Sequence, residues 1–227
     1  MGTLINAMAI LIGGGLGLLF KKRFPERISQ TALQVMGLFT ILVGIKMALG
    51  GEELILALIS LALGSMLGEW INIEDRLEKF AFSLEERFHL TEYSSAKGFI
   101  HASLLFCVGS IAIVGSITEG LQGDPSILIT KAMLDGIISI PFAAGMGIGV
   151  LGSALPVLVY QGSLTVLASQ LKAFFTPAII QELTSVGGVI VMGIGVNILG
   201  LKKVRVGNLI PALFIIIFIL YIKALIH

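Results

Sequence analysis

Charge is scarce in this chain: 13% of its 227 residues are charged, against about 25% in an ordinary soluble domain. A water-soluble chain of this length could not hide so much apolar surface in one core. Cysteine is nearly missing too. Cys107 stands alone inside an apolar stretch, so no intramolecular disulfide can form and a packing thiol is its natural role. With three histidines, none beside another ligand-type residue, no zinc site is expected, and neither a metal nor a cofactor. A net charge of +1 and a pI of 7.9 provide no basic face for nucleic acid. P-loop, GxSxG and His-Glu-x-x-His patterns are all lacking, so no enzyme is expected. Gly147-Ile148-Gly149-Val150-Leu151-Gly152 fits dinucleotide-binding spacing, but no acidic residue follows until Glu182. Without a strand before it, the match is coincidence.

Hydrophobic length fills the gap. The chain is 56% hydrophobic with a mean hydropathy of +1.01, and its apolar residues fall into eight stretches of about twenty. At about 1.5 Å per residue, such a stretch matches a hydrocarbon core of about 30 Å. Spans are expected near 2–20, 28–49, 54–71, 99–118, 125–150, 153–171, 183–201 and 207–224. The fold class is therefore all-α, a polytopic transmembrane helix bundle. No basic residues precede the first stretch, as a signal peptide requires, so it reads as a retained span.

Basic residues set the orientation. With the 21–27 loop inside, Lys21, Lys22, Arg23, Arg27, Arg76, Lys79, Arg87, Lys97, Lys202, Lys203 and Arg205 all face the cytoplasm. Only Lys46, Lys131, Lys172 and Lys223 lie within spans or outside. Both termini are then exterior. The segment 125–171 must cross twice or dip in and return.

The polar connection 72–97 places Ile73, Leu77, Phe80, Leu84 and Phe88 on one helical face. It reads as an amphipathic helix at the cytoplasmic interface, either a packed spacer or a regulatory element. Its acidic balance suits anionic lipid poorly.

Leu33, Gly37 and Leu49-Gly50 match Leu183, Gly187 and Leu199-Gly200 at one offset. Leu54-Ile55 and Ala57-Leu58 similarly match Leu209-Ile210 and Ala212-Leu213. Apolar segments align easily, so coincidence stays open. A true match would join spans of opposite direction, an inverted-topology repeat of the kind built into many secondary transporters. It divides the single transmembrane domain into a first unit at 1–71, the interfacial helix at 72–97, linking spans at 98–150 and a second unit at 151–227.

Ionisable residues inside spans usually line a path or pocket. Asp135 is the leading candidate. Asp124 can cap the fifth span with Pro125 at its first position, which puts Asp135 about 15 Å deep, near the midplane. Lys131 lies four residues earlier on the same face and can pair with it. Two readings follow: a shielded structural ion pair, or a carboxylate that binds a cation or exchanges a proton. Downstream, Pro141, Gly147, Gly149, Gly152 and Pro156 point to broken helices whose freed backbone groups could meet a substrate, or simply to close packing. Tyr160 and Gln161 add neutral hydrogen-bonding groups, as do Asn6 and Asn197 in the first and seventh spans; such asparagines often only bridge helices.

Several segments resemble a known family. Gly2-Thr3-Leu4-Ile5-Asn6 with Gly13-Gly14-Gly15, Gly44-Ile45-Lys46-Met47-Ala48-Leu49, and Cys107-Val108-Gly109 with Val114-Gly115-Ser116 carry the likeness. So do Met133-Leu134-Asp135-Gly136, Pro156-Val157, Tyr160-Gln161-Gly162 and Asn208-Leu209-Ile210-Pro211-Ala212-Leu213. Over nearly its full length the chain is similar to the YdfK/YqgA-like family, domain of unknown function 554. The resemblance implies a bacterial inner-membrane protein, often described as a possible transporter, and carries no specific activity.

The expectation is a small secondary transporter or ion-translocating protein. Its path runs between the second and seventh spans and the 125–171 segment, with Asp135 as the ionisable group. Partners are the lipid bilayer and an unidentified small solute or ion. Glycine-rich faces on spans one, five and seven suggest a homodimer. The alternative is a non-transporting scaffold or sensor acting through the 72–97 helix.

Overall fold

The computed structural model describes residues 1–21, 26–76, 79, 95–107, 110–171 and 175–226. The helices are α1 Gly2–Lys21, α2 Glu26–Ala48, α3 Leu54–Ile71, α4 Ser95–Cys107, α5 Ser110–Gln122 and α6 Ser126–Met146. After them come α7 Gly149–Gly152, α8 Ala154–Val166, α9 Ala168–Leu171, α10 Pro177–Ile198, a 3₁₀ turn at Val206–Leu209 and α11 Ile210–Ile226. No strand occurs among the described residues.

Among the described residues, six helical runs are long and apolar enough to cross a bilayer: Gly2–Leu19, Leu54–Ile71, Ser126–Met146, Gly149–Val166, Pro177–Ile198 and Val206–Ala224. A seventh results if Ala96–Cys107 and Ile111–Gln122, inclined by 59°, count as one span. The expected eighth falls short. Glu26, Arg27, Gln30, Thr31 and Gln34 make the start of α2 polar, and only Gln34–Ala48 is continuously apolar among the described residues. Segment 125–171 supplies two runs of crossing length.

Local sequence explains the breaks. Asp124 does serve α6, accepting from Ser126 N at 3.0 Å, but the helix starts one residue after Pro125. Pro141 does not break it: α6 continues through to Met146. The break is at Gly147, whose φ of 81° and ψ of −166° belong to a region that glycine alone occupies easily. Pro156 falls in the first turn of α8, where its missing N–H costs no helical bond. Gly149 and Gly152 bound the single turn α7 between these helices. Thr176 caps α10, its Oγ1 accepting from Ile179 N at 3.3 Å, with Pro177 following. Thr176→Ala should therefore cost about 1 kcal/mol, read from thermal unfolding in detergent.

The described chain forms two compact units: Met1–Met36, Glu78–Cys107 and Ile111–Ala173; and Gly37–Leu77, Val108–Ser110 and Phe174–His227. In the first, α1 and α6 run parallel in backbone contact. A Cβ added at Gly13 would lie 2.1 Å from Gly136 O, and one at Gly17 would lie 2.1 Å from Ile140 O. In the second, contacts run in opposite order along the paired helices, so these are antiparallel. Gly37 and Gly44 of α2 meet Gly195 and Gly188 of α10. Gly64 and Gly68 of α3 meet Ala212 and Asn208. Small residues buy this approach in lipid, where packing rather than water exclusion joins helices. Several glycines of spans one, five and seven (Gly13, Gly17, Gly136, Gly188 and Gly195) pack within the chain.

At one end of this second unit, Arg205 bonds the carboxylates of Glu69 and Asp75, and the Asn72 amide oxygen at 2.9 Å. The guanidinium beside Asp75 holds that exposed carboxyl below its usual range. Glu74 N donates to Asn208 Oδ1, and Gly207 N donates to Glu74 Oε2, each at 2.8 Å. Of the proposed amphipathic face, Leu77, Phe80, Leu84 and Phe88 lie outside the described residues.

Candidate functional site

The polar groups of the first unit converge from three helices. Lys131 and Asp135 share a face of α6 at i and i+4, and Lys131 Nζ bonds Asp135 Oδ2. From α1, Asn6 Nδ2 donates to the same Asp135 oxygen at 3.0 Å and to Gln161 Oε1 of α8 at 3.3 Å. Asp135 is 6% exposed, Lys131 7%, and Asn6 and Gln161 are fully enclosed. Lys131 Nζ also lies 6.0 Å from the ring centroid of Phe106, which packs on Phe142 at 6.4 Å. A charge pair is thus held inside an apolar wall, where its members cannot separate cheaply.

The carboxylate fixes the neighbouring amides. Asp135, when ionised, can only accept, so Asn6 must turn its NH₂ toward it. Both Asn6 donor hydrogens are then committed, one to Asp135 and one to Gln161 Oε1. This leaves Asn6 Oδ1 as an enclosed acceptor and Gln161 Nε2 as an enclosed donor, neither with a partner among the described residues. Buried polar atoms are nearly always satisfied. These two leave one unused acceptor and one unused donor on a bonded pair of amides.

Asp135 is nine residues below Ser126, about 14 Å along α6. However, α6 starts beyond α1: Gly2 lies against Leu128. Asn6 is only four residues below Gly2, about 6 Å along α1. Side chains on helices lean toward the N-terminus, so the Asp135 carboxyl meets Asn6 at that level. The cluster lies in the half of the unit nearest the start of α1.

Of the expected site residues, Asp135, Lys131, Asn6 and Gln161 come together. Tyr160 is half-buried on α8 and takes no part in their bonds. Asn197 belongs to the other unit, where its amide donates to Val204 O and accepts from Val204 N, both at 2.7 Å. It fastens the loop after α10. The hydrogen-bonding partners of Asp135 are Lys131 on its own helix and Asn6 of α1, with Gln161 of α8 reached through Asn6; α10 and residues 37–48 of α2 belong to the second unit.

Glu119, at the end of α5, was not expected. Its Oε1 accepts from Gly2 N at 2.8 Å and pairs with the Met1 ammonium. Glu182 acts alike in the second unit, where its Oε1 accepts from Glu52 N at 2.6 Å and Glu53 N at 3.1 Å ahead of α3. Each carboxylate meets the positive end of a helix. A carboxylate near a span end looks ordinary in sequence, so nothing marked them.

Residues 1–221 match the family model described as Protein of unknown function (DUF554). The chain is similar to the Uncharacterized membrane protein YdfK of Bacillus subtilis (strain 168), 35% identical over 227 residues, covering 97% of this chain and 96% of the relative. It is also similar to the Uncharacterized protein YqgA of Escherichia coli (strain K12), 31% identical over 220 residues, covering 95% and 94%. No solved structure matches. Together, the full-length family match and these two relatives place the chain: this helical membrane protein belongs to the DUF554 family.

Proposed function

We propose that this protein is a small secondary transporter or ion-translocating protein of the bacterial cytoplasmic membrane, with both termini outside. One observation carries the reading: a Lys131–Asp135 pair buried in a membrane-length helix and bonded to Asn6, which in turn bonds Gln161, these two amides keeping an unused acceptor and an unused donor. A purely structural pair gains most when every neighbouring polar atom is satisfied. Here the polarity exceeds what the pair consumes. The break at Gly147 and the antiparallel packing of α2–α3 against α10–α11 agree with a two-fold inverted design.

The site is net neutral and closed, so loading must conserve charge. A cation or proton reaching Asp135 must displace Lys131, whose charge needs a new partner or must leave as a proton. Lys131 is thereby a built-in competitor. In proteoliposomes, Asp135→Asn should abolish gradient-driven uptake; unchanged uptake would remove Asp135 from the mechanism.

The second reading is a scaffold or sensor. The enclosure of both charges favours it, because a permanent lock would also keep them paired and dry. It assigns Asp135→Asn a loss of stability without any change in flux.

A further inference from the structure

We infer that protons reach Asp135 along one face of α1, entering beside Glu119 and passing Thr3 and Asn6. This rests on the reading of Asp135 as the loading group and specifies what loads it.

Five buried side-chain atoms without partners belong to this unit's α1, α5 and α8: Thr3 Oγ1, Asn6 Oδ1, Ser116 Oγ, Glu119 Oε2 and Gln161 Nε2. Every one of these residues is more than nine-tenths enclosed. They also follow one another in order. Ser116 and Glu119 are one turn apart on α5, Glu119 binds the backbone at Gly2, and Thr3 follows. Thr3 and Asn6 are one turn apart on α1, and Asn6 binds Asp135 and Gln161. Along α1, Thr3 and Asn6 thus fall between the Glu119 contact at Gly2 and the ion pair. Hydroxyls, a carboxylate and a carboxamide are the groups that hold short files of water.

This chemistry fits a proton better than a metal ion. Among the described residues no three His, Cys, Asp or Glu side chains gather for a metal. The charged or titratable groups near the pair are few. Asp135 faces Lys131 on its own helix and the neutral amide of Asn6, which bonds Gln161, with Cys107 of α4 in electrostatic reach of the pair and Tyr160 in electrostatic reach of Cys107. In the step itself, hydronium at the Glu119 end gives up its proton and becomes water. The proton is relayed to Asp135, the carboxylate becomes a neutral acid, and the Lys131 ammonium releases its own proton to water, so the enclosed pair stays net neutral. The reverse step restores both charges.

The test is an acid jump on the full chain in phosphatidylethanolamine–phosphatidylglycerol liposomes, followed by infrared spectroscopy. The Asp135 carboxylic-acid band is identified by its absence in Asp135→Asn. Thr3→Val, which keeps the side-chain volume, should slow its rise about tenfold, or about 1.4 kcal/mol of barrier. Glu119→Gln should do the same, whereas Ser163→Ala, on the exposed side of α8, should leave the rate unchanged. Should Glu119→Gln fail to fold, Thr3→Val decides alone. Unaltered rates in Thr3→Val, or no band in the native chain after acidification, would overturn the route. Unaltered rates alongside uptake lost in Asp135→Asn would discard the route and keep the transport reading. Slowed rates alongside intact uptake would do the reverse.

Discussion

Lys131→Met should cost about 3–5 kcal/mol of stability, because it leaves the Asp135 carboxylate buried without its cation. The Asn6 amide remains on that carboxylate and the Phe106 ring remains beside it, but neither carries positive charge. The loss should fall toward the low end if the membrane-embedded unfolded chain finds other partners. The informative variant is the double one. Lys131→Met with Asp135→Leu removes both charges together and should recover most of the loss, since buried pairs replaced by apolar side chains are often neutral or better. Thermal unfolding in detergent reads this directly. A double variant as unstable as the single one would mean that the pair holds the unit together by more than mutual neutralisation.

Gly13→Ala should be the most damaging small substitution in α1. The new methyl would stand 2.1 Å from Gly136 O, a backbone atom that cannot step aside. The two helices must separate, and about 1–3 kcal/mol should be lost. Because Asn6 of α1 reaches Asp135 of α6 across the same interface, uptake should fall too. Gly15→Ala, two residues further along the same helix, meets nothing within 4 Å and should gain up to about 1 kcal/mol from helix propensity. Equal effects of the two substitutions would show that α1 and α6 are not packed through Gly13.

How much of this was legible depended on what kind of partner each residue has. The i, i+4 spacing of Lys131 and Asp135 is local, so the pair could be read directly from the chain. Asn6 and Gln161 announced themselves as polar residues in apolar spans. Asn197 gave the same signal for a different reason: its partner is the Val204 backbone, seven positions on, and no side-chain pattern reveals that. Pro141 looked like a break because it removes one hydrogen bond, but α6 absorbs that loss and ends instead at Gly147, where φ turns positive. Counting residues down the fifth span gave a midplane depth for Asp135. That count could not include the stagger of α1, which brings Asn6 to the carboxyl near the start of its own helix. The tract at 28–34 was read as part of a full span, yet its polar side chains shorten the apolar run.

The central claim is that the Lys131–Asp135 pair is exchanged during transport and is not simply a fastening. The direct measurement is pH-driven proton flux in proteoliposomes carrying a trapped pH-sensitive dye. It compares the native chain with the Lys131→Met, Asp135→Leu double variant after both are shown to unfold at similar temperatures. The account predicts flux for the native chain and none above empty liposomes for the folded double variant. Equal flux from both proteins, or none from either, would contradict it.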